Sequence, residues 1–294
     1  MLSLQLKDLS LADAQNYLQH AIGPRPICFA STIDKAGNIN LSPFSFFNLF
    51  STNPAIVVFS PSRRLRDNST KHSLQNILEV PEVVVNIVTY DILQQTSLSS
   101  CEYPKEIDEF LKTGLHKEPS ILVRPPRVKE SPVQFECQVL EVKQLGMQGG
   151  AGNLVIAEVL MMHINEAILN EKGFIDQQKL DLAARLGGNW YTRANASTIF
   201  EVEKPNMLCG IGVDVLPESI RTSNILTGNN LGQLANVHEF PVIDPLFEDE
   251  RLKNIFGYYA INPDEMEEEL HKYAKELLDT GRVQEAWQVL LATN

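Results

Sequence analysis

Cysteine is scarce in this chain. There are four in 294 residues, Cys28, Cys101, Cys137 and Cys209, with no C-x-x-C pair and no histidine at metal-ligand spacing. That argues against a disulfide framework and a zinc site, and it fits reduced thiols in a cytoplasmic, reducing compartment. Long apolar runs are missing too: none reaches the ~18 residues of a membrane helix. The opening "MLSLQLKDLSLADAQ" has acids and no basic n-region, so it does not read as a signal peptide. Positive charge is in short supply. The net charge is −12 and no basic stripe interleaves with aromatics, which argues against nucleic acid or an anionic membrane as a partner. Nor is there a G-x-S-x-G, an H-E-x-x-H or a Walker loop, and "HEF" at 238–240 lacks the second histidine. Hydrolase readings are therefore weak. Redox chemistry on a bound cofactor asks for few protein acids and bases, and fits better.

What is present is ordinary globular composition, 44% hydrophobic and 21% charged, enough for one large domain or one domain with an extension. Residues 10–20 read as a short helix with Ser10 as N-cap and Leu11, Ala14 and Leu18 as its stripe; "GPRP" at 23–26 ends it. "ICFAST" (27–32) and "NINLSPFSFF" (38–47) flank "DKAG", a hairpin loop. "AIVVFS" (55–60) and "EVVVNIV" (82–88) read as buried strands, and "HSLQNIL" (72–78) as a helical turn with Leu74, Ile77 and Leu78 inward. Two longer strands, 132–145 and 153–164, are joined by "GMQGGAG". A strand follows that glycine loop, so it reads as a hairpin turn and not as a dinucleotide fingerprint. Closely spaced strands without long helices between them predict a mainly antiparallel β-barrel with helices at its rim. Composition shifts near residue 205: residues 205–294 hold 15 acids against six Lys and Arg, a local charge of −9. Residues 1–204 are expected to form the barrel domain. Residues 205–294 form an acidic, mostly helical extension, with helices over 263–281 and from Arg282, packing on the barrel or a partner subunit. The glycines and asparagines of 210–237 suit a docking arm or a lid.

The stretch "STIDKAGNINLSPFSFF" (31–47) is unusual for a core hairpin. It carries Ser31, Thr32, Asn40, Ser42 and Ser45, then an aromatic pair. Hydroxyls and amides at strand ends can cradle a planar polar ligand. A flavin mononucleotide needs such groups along its ring edge, and donors with a cation for its phosphate. Ser60, Ser62, Arg63, Lys71 and Ser73 can supply the second set. On spacing alone, ordinary turn polars and strand-edge serines account for the same pattern.

The ordered series "RPICFASTIDKAGNINLSPFSFFNLFSTNPAIVVFS" (25–60), "KHSLQNI" (71–77), "EVVVNIV" (82–88), "SCEYPKEIDEFLKTGL" (100–115), "RPPRVKESPVQFEC" (124–137), "NLVIAEVLMMHI" (153–164) and "LAARLGGNWYTR" (182–193) resembles the flavin reductase-like, FMN-binding split-barrel family, its flavoredoxin-type branch in particular. The resemblance covers roughly residues 15–204. It implies a split β-barrel homodimer with FMN at the subunit interface. Ser31, Thr32, Asn40 and Ser42 would lie along the flavin and its ribityl chain, and Pro43, Phe44, Ser45, Phe46 and Phe47 against the ring. Lys71 and Ser73 would bind phosphate, with Arg63 and Ser60 as weaker candidates. The family often has Asp-Thr where this chain has His72-Ser73, which leaves the part of His72 open. Asn76 would cap or orient the phosphate loop, or face solvent, and His163 would sit near the flavin or simply end a strand. In "RLGGNWY", Gly187 and Gly188 permit close backbone approach, and Trp190 or Tyr191 would pack at the dimer interface or cover the ring. The implied activity is oxidoreduction with NADH or NADPH as electron donor and no general base. The other implied reading is a non-enzymatic FMN electron carrier reduced by a partner protein.

Overall fold

The computed structural model describes residues 1–202, 204–205 and 208–292. Two compact units divide the chain, Met1–Phe200 and Glu201–Asn294.

The strands of the first unit are β1 Cys28–Ile33, β2 Ile39–Phe44, β3 Phe47–Thr52, β4 Ala55–Phe59, β5 Glu82–Ile87, β6 Lys117–Glu118, β7 Arg127–Val128, β8 Val133–Gln144, β9 Asn153–Ile164, β10 Leu182–Arg185 and β11 Tyr191–Ala194. Its helices are α1 Leu11–Ala21, α2 His72–Glu79, α3 Leu93–Leu98, α4 Glu109–Thr113 and α5 Gln177–Leu180. Seven strands form one antiparallel sheet in the order β2-β1-β5-β8-β9-β4-β3. β2 and β3 are its opposite edges, yet only Ser45 and Phe46 separate them in the chain. Three residue steps span at most ~11 Å. A flat sheet of seven strands would hold its edges roughly 29 Å apart. The sheet must therefore curl until its edges meet at this corner. The Phe44 ring of β2 lies 5.5 Å from that of Phe59 on β4, and the Ser60 N–H donates to the Phe46 carbonyl at 2.9 Å. No ladder joins β2 to β3 among the described residues, so the curled sheet is not closed.

Strand periodicity sorts the side chains. Cys28, Ala30, Phe44, Phe59, Val83, Val85, Cys137, Val139, Val155 and Ala157 point inward, and Leu74 and Ile77 of α2 plug the same core. The alternate positions Phe29 and Leu41 pack outward with Val88, Ile92, Phe110 and Ala183 under the rim helices. Leu78, expected inward, is exposed: α2 is only eight residues long and a single narrow stripe faces the sheet. The stripe of α1 is also exposed, although Ser10 caps the helix by accepting from the Asp13 N–H at 3.1 Å. The run 38–47, expected as one strand, breaks at Ser45–Phe46, where the chain crosses between the sheet edges.

The glycine loop is a hairpin turn between β8 and β9, and it also holds the neighbouring basic loop. The Gly150 N–H donates to the Arg63 carbonyl and the Arg63 N–H to the Ala151 carbonyl, at 2.9 and 2.8 Å. A Cβ on Gly152 would meet Ser60 Oγ at 2.6 Å. Gly187 admits another close approach: a Cβ there would lie 2.3 Å from the His20 ring.

The second unit contains α6 Glu218–Arg221, α7 Gly228–Ala235, α8 Glu250–Tyr258, α9 Pro263–Asp279 and α10 Val283–Leu291. Leu270, Tyr273 and Leu277 of the α9 stripe are buried with the fully buried Trp287 of α10. The segment 210–237 contributes Leu216, Ile220, Leu226 and Leu234 to that core. It builds the core of the helical unit. Thr227 and Asn230 form a reciprocal capping box at the start of α7.

Candidate functional site

A narrow polar cleft opens beside the edge strand β2. Asn40 and Ser42 of β2, Arg64, Lys71, His72 and Ser73 line it, together with Ser99–Tyr103 and Glu109. The hairpin places Asn40 and Ser42 on the inward face: Thr32 is in register with Asn40, and Ala30 with Ser42. That face meets the first turn of α2. The Ser73 hydroxyl donates to Asn40 Oδ1 at 2.5 Å, Asn76 Nδ2 donates to Thr32 Oγ1 at 3.2 Å, and Thr32 Oγ1 donates to the Asn40 carbonyl at 3.4 Å. Asn76 is thus neither solvent-facing nor a cap; it ties α2 to β1.

The opposite wall is the segment 99–113. Glu109 is buried and accepts from Asn40 Nδ2 at 2.6 Å and the Leu41 N–H at 3.1 Å. Lys105 pairs with Asp34 of the hairpin turn at 3.1 Å. These contacts staple the wall to the hairpin. Burial pushes the Glu109 carboxyl up, against the lowering pull of its hydrogen bonds.

Positive charge collects at one end. Arg64 bonds Ser69 Oγ and the Thr70 carbonyl and pairs with Glu102 at 2.9 Å. Lys71 occupies the N-cap of α2 and provides no side-chain cap; its carbonyl takes the Leu74 and Gln75 N–H groups at 3.1 and 3.2 Å, which leaves those of His72 and Ser73 without a partner among the described residues. The Lys71 ammonium has no hydrogen-bond partner among the described residues. Burial lowers the Lys71 pKa, with Arg64 adding to the effect; burial and then Arg64 and Lys105 lower that of His72. These cations repel one another, so an anion placed among them would relieve both strains. Unpaired helix N–H groups beside two cations and several hydroxyls form a donor set of the kind that takes a phosphate. The enclosed space is about 20 Å³, room for a water or so.

The other residues singled out in the sequence lie elsewhere. Ser31 is in register with Leu41 on the outward face, fully buried, and its hydroxyl has no partner among the described residues. Phe44 and Phe47 pack with the inner core, while Pro43 is in register with Phe29. Ser45 and Phe46 make the corner link, with Phe46 45% exposed. Ser60 is buried against Gly152. Arg63 does not line the cleft: its guanidinium bonds Asn68 Oδ1 and the Asn68 carbonyl, both at 2.7 Å. Its neighbour Arg64 takes the cleft position that the sequence reading gave to Arg63. His163 lines a second cavity of about 520 Å³ with Arg127, Lys129, Ser131 and Gln134. Its Nε2 lies 2.7 Å from the fully buried Glu136 carboxylate, which also accepts from the N–H groups of Ile121 and Leu122. Burial favours the neutral form of Glu136, but those N–H groups and His163 outweigh it and hold the carboxyl below its usual range. Trp190 is 72% exposed, and Tyr191 stacks under the Arg185 guanidinium at 4.5 Å.

Sequence reasoning missed Arg64, Glu102 and Glu109. The segment 100–115 carries part of the family resemblance, but its polar residues have no periodicity that would single out one buried acid.

A curled antiparallel sheet with a donor-lined cleft at one edge strand defines the class of molecule. The model of the flavin reductase like domain matches residues 22–181. A protein of unassigned function from Aquifex aeolicus is 36% identical over 171 residues, covering 58% of this chain and 85% of that one. Among solved structures, nitrilotriacetate monooxygenase component B from Bacillus cereus matches with a TM-score of 0.64 and 28% identity, over 69% of this chain and 98% of that one. A split-barrel chain from Shewanella frigidimarina shares the fold with a TM-score of 0.57 at 24% identity, over 68% of this chain and 96% of that one. The chain belongs to the flavin reductase-like family. Residues 201–294 lie beyond the family match.

Proposed function

We propose that this chain is a flavin-binding oxidoreductase that holds FMN with its phosphate at the cleft beside α2 and accepts electrons from NADH or NADPH. One observation carries the assignment of the cleft: Lys71, Arg64 and the uncapped start of α2 converge on the hydroxyl- and amide-bearing hairpin. A flavin held there would supply the redox chemistry, hydride uptake and onward electron transfer. The protein residues do the holding. Lys71, Arg64 and the first N–H groups of α2 would neutralise the phosphate. Asn40 and Ser42 would face the ribityl hydroxyls, and the exposed Phe46 at the barrel corner would supply an apolar surface for the ring. Glu102 now occupies Arg64, so a phosphate would compete with that carboxylate for the guanidinium.

A homodimer is part of the proposal. Edge strand β3 exposes Leu49 and Phe50, at 56% and 68%, next to Phe46. A hydrophobic edge strand left bare invites pairing, and a second copy of the chain would cover it.

The visible spectrum of the purified protein, before and after FMN is added and then after anaerobic NADH or NADPH, tests the assignment. Flavin bands that bleach within seconds support the reductase. Bands that persist until dithionite is added favour an electron carrier reduced by a partner protein. Absence of flavin bands even after soaking in FMN rejects the flavin assignment.

A further inference from the structure

Glu109 controls which hydrogens the cleft can present. An ionised carboxylate only accepts, so Asn40 must turn its NH2 to Glu109 and its carbonyl oxygen to Ser73. Ser73 must then spend its single proton on Asn40 Oδ1. In this state the Ser73 side chain offers the cleft lone pairs and no hydrogen, which is the wrong polarity for a phosphate. Both amide assignments follow from the acceptor-only carboxylate, and the Leu41 N–H on the other Glu109 oxygen fixes the carboxylate plane.

We propose that Glu109 is a positioning residue that couples phosphate binding in this cleft to the uptake of one proton. The proton comes from solvent and settles on Glu109. The carboxyl O–H then donates to Asn40 Oδ1 after the amide flips, and the other oxygen keeps the Leu41 N–H. Asn40 Nδ2 now donates to Ser73 Oγ. The Ser73 O–H is released to donate to the ligand. Each group still has a partner after the switch, so neither arrangement leaves a buried polar atom orphaned. Burial raises the Glu109 pKa and so favours the protonated form that this switch requires.

Other groups that face Glu109 belong in the account. Asp108, the N-cap of α4, precedes it and is paired with Lys117. Tyr103 lies on the same wall. Glu102 lies on that wall too, and across the cleft are Lys71, His72 and its partner Arg64. An arriving phosphate would also raise the His72 pKa and draw a proton there, and the phosphate titrates itself. The signature of Glu109 is therefore a difference between wild type and variant.

This inference rests on the flavin reading of the cleft, and one experiment separates them. Dissociation constants for FMN and for riboflavin, which lacks the phosphate, are measured from pH 5.5 to 8.5 for wild type and Glu109→Gln, with calorimetry in two buffers of different ionisation enthalpy to count protons. Glutamine cannot ionise and keeps Asn40 in the flipped state. The expected result is tighter FMN binding by the variant at pH 8, by about tenfold for one charge-assisted donor. The two proteins converge as the pH falls, riboflavin binding stays equal, and the wild type takes up about one proton more than the variant. A variant that binds FMN more weakly with a parallel pH profile and the same proton count overturns the coupling and leaves the flavin reading standing. Wild type that binds no flavin at any pH overturns both. Should Glu109→Gln misfold, Ser73→Ala provides the second arm: it removes the released donor, and its proton uptake must fall below wild type by the same amount. Unchanged uptake in Ser73→Ala overturns the proposal.

Discussion

Lys71→Met is the most direct perturbation of the proposed phosphate end. The ammonium is half-buried, without a hydrogen-bond partner among the described residues, at the N-cap of an eight-residue helix. Methionine keeps the length and apolar body of the side chain, so the packing around α2 is preserved and only the charge is lost. A hydrogen bond to a charged group contributes about 1.5–3 kcal/mol, which corresponds to roughly 10- to 150-fold in Kd. Arg64 and the helix N–H groups would remain, so binding is weakened and not abolished. Removing Lys71 also lifts a repulsion from His72, which should titrate at a higher pH in the free variant. The assay is quenching of flavin fluorescence, read in parallel for FMN and riboflavin at fixed ionic strength. FMN affinity should fall by the stated factor and riboflavin affinity by less than about twofold. Equal losses for both ligands would mean that Lys71 acts on the ring or on the fold. No loss for FMN would remove the phosphate from this end of the cleft.

Two predictions concern stability. Gly187→Ala drives a Cβ to within 2.3 Å of the His20 ring; overpacking of this kind costs about 1–3 kcal/mol, a melting shift of several degrees for a unit of this size. The double variant Gly187→Ala with His20→Ala should recover most of that loss in thermal melts, and failure to recover would place the strain in the backbone. On the acid side, the Asn38 side-chain amide, the Asn38 N–H and Lys105 together hold the Asp34 carboxyl far below the ordinary range, and Glu136 is likewise lowered. The unfolded chain therefore binds protons first, near pH 4, and stability falls as the pH drops from there toward the folded values. Asp34→Asn should flatten the acid limb of urea midpoint against pH, and a limb unchanged in the variant would show that Asp34 does not contribute to it.

Much of the fold was legible because strands announce themselves locally. The boundaries of β8 and β9 and the hairpin around "DKAG" follow from alternation and turn chemistry, and both depend on neighbours in sequence. The order of strands in the sheet does not. β2 and the first residue of β3 look like one run at 38–47, and the rest of β3, residues 48–52, carries no strand signal of its own; only the position of β4 and β9 between β3 and the rest of the sheet forces the break at Ser45–Phe46. Leu78 failed for a related reason: periodicity gives a stripe, and the partner surface decides how wide a stripe is covered.

The site divides along the same line. Asn40, Ser42, Lys71 and Ser73 were readable as a chemical type, because hydroxyls and amides in a core hairpin are out of place without a partner. What the sequence could not supply is where their protons go. The family resemblance implies Ser73 as a donor to phosphate, yet its proton is given to Asn40, and that direction is fixed by Glu109, 69 residues further along the chain from Asn40. A buried acid selects between donor and acceptor without touching the cleft's ligand. The choice between Arg63 and Arg64 is of the same kind. Their side chains are identical, and what separates them is that Asn68 captures one guanidinium while Ser69, Thr70 and Glu102 aim the other into the cleft. Residue type sets which interactions a site can make; the second layer of partners sets which of them it does make, and that layer is assembled by folding.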